Sequence, residues 1–244
     1  MVPVRLMGTN VLVAGGAHRV GRAIALDLAR GGANVGISYH TSRESAARTV
    51  AEIAELGVHT SSRPADASRP GLMRKLIEQT AAELGGLDVY VHCPSAGFEA
   101  RPAERIDEPL WDAAMDSTAK GFMFGAQAAY RLMRESGGGV IVAITDVAGI
   151  QPWPRFAAHG AAKAAQIHLV KCLAADWGRD NVRVCGVAPG PVLMPDDVRG
   201  DKEETVLGRL GDPADVAQAV RYCIEADFFT GQNLIVDGGR ILRP

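Results

Sequence analysis

The sequence predicts an α/β protein: one doubly wound parallel sheet of seven strands with helices on both faces. Two observations predict it. Short apolar runs alternate with longer helix-period segments over nearly all of the 244 residues, the pattern of repeated βαβ units that bury a sheet on both sides. One stretch, 189–211, breaks the alternation; it is rich in Pro, Gly and charge and follows a strand's carboxyl end, where open sheets of this kind bind ligands. A hydrophobic fraction of 47% suffices for one sizeable core, so residues 1–244 are read as a single domain without repeat or linker.

The elements follow in order. The strands are VLVAG (11–15), NVGISY (34–39), VHTSSR (58–63), DVYVHC (88–93), GVIVAIT (139–145), VRVCGVA (182–188) and NLIVDG (233–238). Helical periodicity falls between them at 20–30, 42–56, 70–84, 108–135, 156–178 and 213–226. Three of these helices end on glycine, at Gly31-Gly32, Gly57 and Gly85-Gly86. The stretch 189–211 is read as a loop lining a site.

A net charge of −2 gives no general attraction to nucleic acid or an anionic membrane. The four cysteines, Cys93, Cys172, Cys185 and Cys223, show neither CxxC spacing nor a His/Cys cluster, so the reading is buried free thiols and no metal. The chain shows no signal-like amino terminus and no apolar run long enough to span a bilayer, so a soluble, cytoplasmic protein is expected.

Chemistry begins directly after the first strand, in AGGAHRVGRAIALDLA. Glycines 15, 16 and 21 bracket a turn into a helix. Backbone N–H groups there can approach an anion at the positive helix end, which is where the pyrophosphate of a dinucleotide belongs in such a fold. The second strand runs into Tyr39, His40, Thr41, Ser42 and Arg43. No carboxylate stands there to accept a ribose 2′-hydroxyl, whereas Arg43 and Arg19 supply positive charge and the hydroxyls can donate to a 2′-phosphate. NADP(H) is therefore expected over NAD(H). Ser42 is also placed to cap the next helix.

With these residues in view, the chain resembles the short-chain dehydrogenase/reductase family, a Rossmann-type fold, and within it the pteridine reductase-like branch. The resemblance runs nearly end to end, from VLVAGGAHRVGRAIA to GQNLIVDGGR. It implies a cofactor loop of Gly15, Arg19, Val20 and Gly21, with arginine in place of the family's middle glycine, as in pteridine reductases. It further implies adenine contacts at Asp66 and Ala67, a largely main-chain nucleotide turn at Cys93, Pro94 and Ser95, and a nicotinamide-side loop at Pro189, Gly190 and Val192. Met194 stands where many members have threonine. The ADFFTGQNLIVDGG segment resembles the family's subunit-packing region, implying a homotetramer or homodimer.

The family uses Asn, Ser, Tyr and Lys for catalysis. By resemblance these positions fall on Thr118, Asp146, His159 and Lys163; aspartate at the second again resembles pteridine reductases. Asp146 and His159 lie 13 residues apart, the family's spacing for that pair, and His159 and Lys163 are four apart and share a helix face. Histidine transfers protons near neutral pH; Lys163 disfavours the imidazolium and Asp146 favours it. Three functions follow: an NADP(H)-dependent reductase of a C=O or C=N bond in a small, cyclic or pterin-like substrate; a redox-inactive cofactor-binding partner or regulator; or a non-redox acid–base enzyme using Asp146 and His159. His92 is read as satisfying backbone groups, His168 as facing away from His159, and Phe98, Trp153 and Phe156 as either a wall for a flat substrate or ordinary packing.

Overall fold

The computed structural model describes residues 5–192 and 205–243. Its seven strands are β1 (Asn10–Ala14), β2 (Asn34–Tyr39), β3 (Thr60–Pro64), β4 (Val89–His92), β5 (Gly139–Ile144), β6 (Val182–Pro189) and β7 (Asn233–Val236). They form one sheet in the order β3-β2-β1-β4-β5-β6-β7, with every pair parallel. This is the doubly wound arrangement expected. The strand order reverses between β1 and β4, where Ala14 pairs with His92, so a crevice opens beyond those two carboxyl ends.

Alternation along each strand explains why both faces are apolar. Val11 and Val13 enter a core with Val35, Ile37, Ile24, Leu28 and Val220, which packs α1 (Arg19–Arg30), α2 (Arg43–Ala54) and α7 (Pro213–Glu225) on one side. Leu12 and Ala14 enter a second core with Tyr90, Phe122, Ile141 and Leu173, under α3 (Pro70–Leu84), α5 (Gly121–Ser136) and α6 (Ala157–Trp177). The two layers bury the five central strands but leave the edge strands β3 and β7 partly exposed.

Several boundaries move, each for a local reason. The helix expected over 108–135 is divided into α4 (Glu108–Met115) and α5 by a π turn at Asp116–Lys120. Gly121 follows it, with Ala67 O only 2.6 Å from where a Cβ would stand. β3 begins at Thr60, because the His59 N–H donates to the Asn34 side chain before the ladder starts. β7 stops at Val236, because the next residue, Asp237, accepts from the Gly239 and Ile241 amides and turns the chain. Of the thiols, Cys185 and Cys223 are buried and Cys93 half-buried; Cys172 is exposed on the outer face of α6, correcting the expectation of four buried thiols.

Two ties brace the sheet. Arg183, near the amino end of β6, is buried and donates to Cys223 O and Ile224 O, carbonyls left open at the end of α7, and to Phe229 O just beyond it. Thr145 donates to Asn233 Oδ1 across the intervening strand. Gly186 lies under that contact, with Asn233 Oδ1 1.9 Å from where its Cβ would stand.

No described helix is long and apolar enough to cross a membrane, and no cluster of three His, Cys, Asp or Glu that could hold a metal occurs among the described residues.

Candidate active site

The cradle at the end of β1 is made of close backbone approaches. Gly15 takes a φ of +73°, natural for glycine, and donates its amide to Ser38 Oγ. A Cβ on Gly21 would meet Gly15 O at 2.2 Å, so the first turn of α1 rests directly on the loop. Arg19, at the position of the family's middle glycine, has a φ of 54°, a conformation glycine accepts and arginine strains to adopt. Val20 follows it in the first turn of α1. His18, the N-cap, makes no side-chain cap, and no acidic residue stands in the first turn. A helix start with neither a side-chain cap nor an acidic residue fits a bound phosphate.

Around the cradle, His40, Thr41 and Arg43 are exposed beyond β2. Ser42 occupies the N-cap position of α2 without a side-chain cap bond. Asp66 accepts from the Ser68 hydroxyl at 2.7 Å and its amide at 2.9 Å. The hydroxyl hydrogen bond is the main cause holding the Asp66 carboxyl below its usual range, with the Ser68 amide, His40 and Arg69 adding to it. Ala67 is buried beside it. Cys93 and Pro94 pack against Gly15, and Ser95 Oγ lies 3.3 Å from Thr118 Oγ1. Across the crevice, Pro189 ends β6, Gly190 donates to Val236 O and Val192 bridges to Gly211. Met194 and much of the expected loop lie outside the described residues.

The other side of the crevice is built from side chains. Asp146 leaves β5 in extended conformation and N-caps a short 3-10 turn, Val147–Gly149; its Oδ1 accepts from Ala148 N at 2.8 Å. Its Oδ2 lies 3.2 Å from His159 Nε2 on α6. The two stay close because the turn packs on the helix: a Cβ on Gly149 would meet Ala164 N at 2.7 Å, and one on Gly160 would meet Ala148 O at 2.8 Å. A carboxylate only accepts, so the pair orients the imidazole with its Nε2–H toward Asp146. His159 is 4% exposed, and its Nδ1 is buried without a partner.

Lys163, one turn along, is buried and donates to Ile144 O at 2.7 Å and to Gln166 Oε1 at 3.5 Å. Burial pulls it down from the usual lysine range to about 8, opposed by the negative charge of Asp146. Phe98 meets the His159 ring edge-on at 4.9 Å and stacks on Phe156 at 4.8 Å, with Trp153 edge-on to Phe156. Phe98 remains 58% exposed, so this ring faces solvent beside the Asp146–His159 pair. His168 is exposed on another face of α6, as its helical angle predicts.

His92 meets a backbone carbonyl, as expected, but three partners escape the sequence: Tyr90 and Ser117 around His92, and Gln166 under Lys163. His92 is clamped between Tyr90 OH at Nδ1 (2.8 Å) and Ser117 O at Nε2 (3.2 Å), and burial lowers it to about 3. Ser117, in the π turn, donates to Ala113 O and accepts from Ala96 N, so the turn holds the Ser95–Ala96 segment next to Thr118. Gln166 sits under Lys163. Signals for two of these are present: Tyr90 and His92 are two apart on one strand face, and Gln166 is three after Lys163 on one helix face.

A parallel sheet with an anion-fitting glycine turn at its switch point, and a carboxylate, an imidazole and an ammonium beside the same crevice, defines a dinucleotide-binding protein of the oxidoreductase class. Comparisons narrow the class. The family model described as enoyl-(acyl carrier protein) reductase matches residues 15–240. The 3β-hydroxysteroid dehydrogenase 1 of Eggerthella lenta is 32% identical over 252 residues, covering 98% of this chain and 96% of its own. Among solved structures, a short-chain dehydrogenase from Burkholderia cenocepacia in complex with NADP superposes with a TM-score of 0.92 at 30% identity, covering 98% of this chain and all of that one. A 7α-hydroxysteroid dehydrogenase complexed with NADH and 7-oxo glycochenodeoxycholic acid gives 0.89 at 28%, covering 96% and 95%. The chain belongs to the short-chain dehydrogenase/reductase family, as an NAD(P)(H)-dependent oxidoreductase type whose YxxxK motif reads His159-x-x-x-Lys163.

Proposed function

We propose that the protein is an NADP(H)-dependent reductase of a C=O or C=N bond in a small cyclic substrate, with a pterin-like ring one candidate. The observation that carries this is the 3.2 Å contact between Asp146 and His159, with Lys163 buried one turn away. Gly15, Arg19, Val20 and Gly21 would hold the pyrophosphate. His40, Thr41, Ser42 and Arg43 would meet the 2′-phosphate, and Asp66 and Ala67 the adenine. Cys93, Pro94, Ser95, Pro189, Gly190 and Val192 would line the path to the nicotinamide, and Lys163 would hold its ribose. When bound, the cofactor supplies a hydride.

The protein's part is the proton. Asp146 orients the imidazole of His159, which gives a proton to the heteroatom that gains charge. Imidazole reaches less far from the backbone than phenol, so the proton passes through water or from Asp146 itself. Arg19 and Asp146 match pteridine reductases, and Phe98, Phe156 and Trp153 offer flat apolar surface beside His159, which supports a ring substrate.

Titrating the pure protein with NADPH and NADH tests the cofactor. Transfer of hydride from labelled NADPH to carbonyl and pterin substrates, repeated with His159→Ala and His159→Tyr, tests the chemistry. Tight NADPH binding with no transfer identifies a redox-inactive partner or regulator, which Thr118 at the asparagine position favours. Conversion of substrate without hydride transfer identifies a non-redox acid–base enzyme.

The same reading makes the protein a cytoplasmic homodimer or homotetramer. Supporting it, Phe228 and Leu242, before and after β7 in the chain, are exposed, and β7 is a sheet-edge strand with no outer partner among the described residues, an edge that proteins normally cover. Sedimentation of the full chain measures the state directly.

A further inference from the structure

We propose that Gln166 is a positioning residue for Lys163: its buried amide oxygen holds the lysine ammonium in its charged form and directs it between β5 and the crevice. The proposal rests on the reductase reading for its purpose, and on the geometry of α6 for its content. His159, Lys163 and Gln166 stand at i, i+4 and i+7, one stripe of the helix. They are the polar members of a buried face otherwise composed of residues such as Ala158, Ala162, Val170 and Leu173. Gln166 is 0% exposed. A fully buried amide costs stability unless its polar atoms are used.

The use is defined by the neighbour. An ammonium has only N–H groups to offer, so the oxygen of the amide, not its nitrogen, faces Lys163 Nζ; the distance is 3.5 Å. Gln166 Nε2 then points away and is left without a partner, so the residue forgoes a hydrogen bond to keep that orientation. Ile144 O, at 2.7 Å, takes a second ammonium hydrogen. Two acceptors fix the direction of Nζ and leave one N–H for a ligand.

The same arrangement offsets burial. The titratable groups that act on Lys163 are Asp146 beyond β5 and His92 and Cys93 at the end of β4; His159 lies one turn back on the same helix. His92 is neutral above about pH 3, so it adds no positive charge at neutral pH. Asp146 favours the ammonium but already engages His159. Gln166 is the acceptor bonded to Lys163 from within α6.

The test is a carbon-13 NMR titration of labelled lysine in the full chain, with Lys163→Met assigning the resonance. Gln166→Leu moves the Lys163 transition down by roughly one pH unit, and Gln166→Glu moves it up by roughly as much. The Leu variant is the diagnostic one, because it keeps the volume and removes the acceptor, whereas a carboxylate at 166 raises the lysine by its own charge in any case. A Leu transition within about 0.2 unit of the parent overturns the proposal, and Gln166→Met gives the same reading if the Leu variant does not fold. As a second readout, Gln166→Leu weakens NADPH about tenfold at pH 8 while Gln166→Glu retains affinity; equal weakening in both counts against it. If the parent itself does not bind NADPH, the cofactor reading fails, while the titration still decides on Gln166.

Discussion

The two sides of the crevice are made differently. The cradle around Gly15 and Gly21 consists of main chain brought to contact distance, with side chains absent where they would collide. The opposite corner consists of the side chains of Asp146, His159 and Lys163, on which the proposed chemistry rests. A main-chain site depends on a few glycines and tolerates exchange elsewhere. A side-chain site can change a residue, as here from the family's tyrosine to histidine, while the helix and turn beneath it stay put.

The comparison can be broken most severely on the main-chain side. Gly21→Ala places a methyl 2.2 Å from Gly15 O; a loss of about 3 kcal/mol or more by urea unfolding, with NADPH binding abolished, is expected. On the side-chain side, His159→Ala should lower turnover by about 10² to 10⁴ and leave the NADPH dissociation constant nearly unchanged. A parallel loss of affinity would show that the two sides are not separable.

Smaller effects sharpen it further. His92 is held near pKa 3 in the fold against about 6.5 unfolded. Between those values the unfolded chain binds the extra proton, so stability falls as pH drops from about 6.5 toward 3, by up to about 1.4 kcal/mol per pH unit. Above 6.5 this contribution is fully present. His92→Gln should flatten that slope, read from urea midpoints at pH 4 and pH 7. Arg43→Ala should reduce the preference for NADPH over NADH about tenfold, measured by titrating both. Phe98→Ala should raise KM a few-fold, about 1 kcal/mol for losing one ring contact, with kcat preserved.

How much was legible follows the same division. β2 and α3 fall where periodicity puts them, because their patterns are local. The π turn at Asp116–Lys120 was not legible, since its partners are Ala67 and Ala96, distant in sequence. For the site, the 13-residue spacing of Asp146 and His159 announced a pair, yet their contact depends on Gly149 and Gly160 letting turn and helix close up. The clamp on His92 needed Ser117, 25 residues away, and no single-segment pattern reports such a partner.

The contact from Thr145 to Asn233, passing over Gly186, joins the residue just before Asp146 to the outermost strand. It acts as a strut between the margin of the sheet and the base of the corner that carries Asp146. A single methyl at position 186 would sever it with no change to any residue lining the crevice, so the quickest way to loosen this corner runs through a glycine in the middle of the sheet.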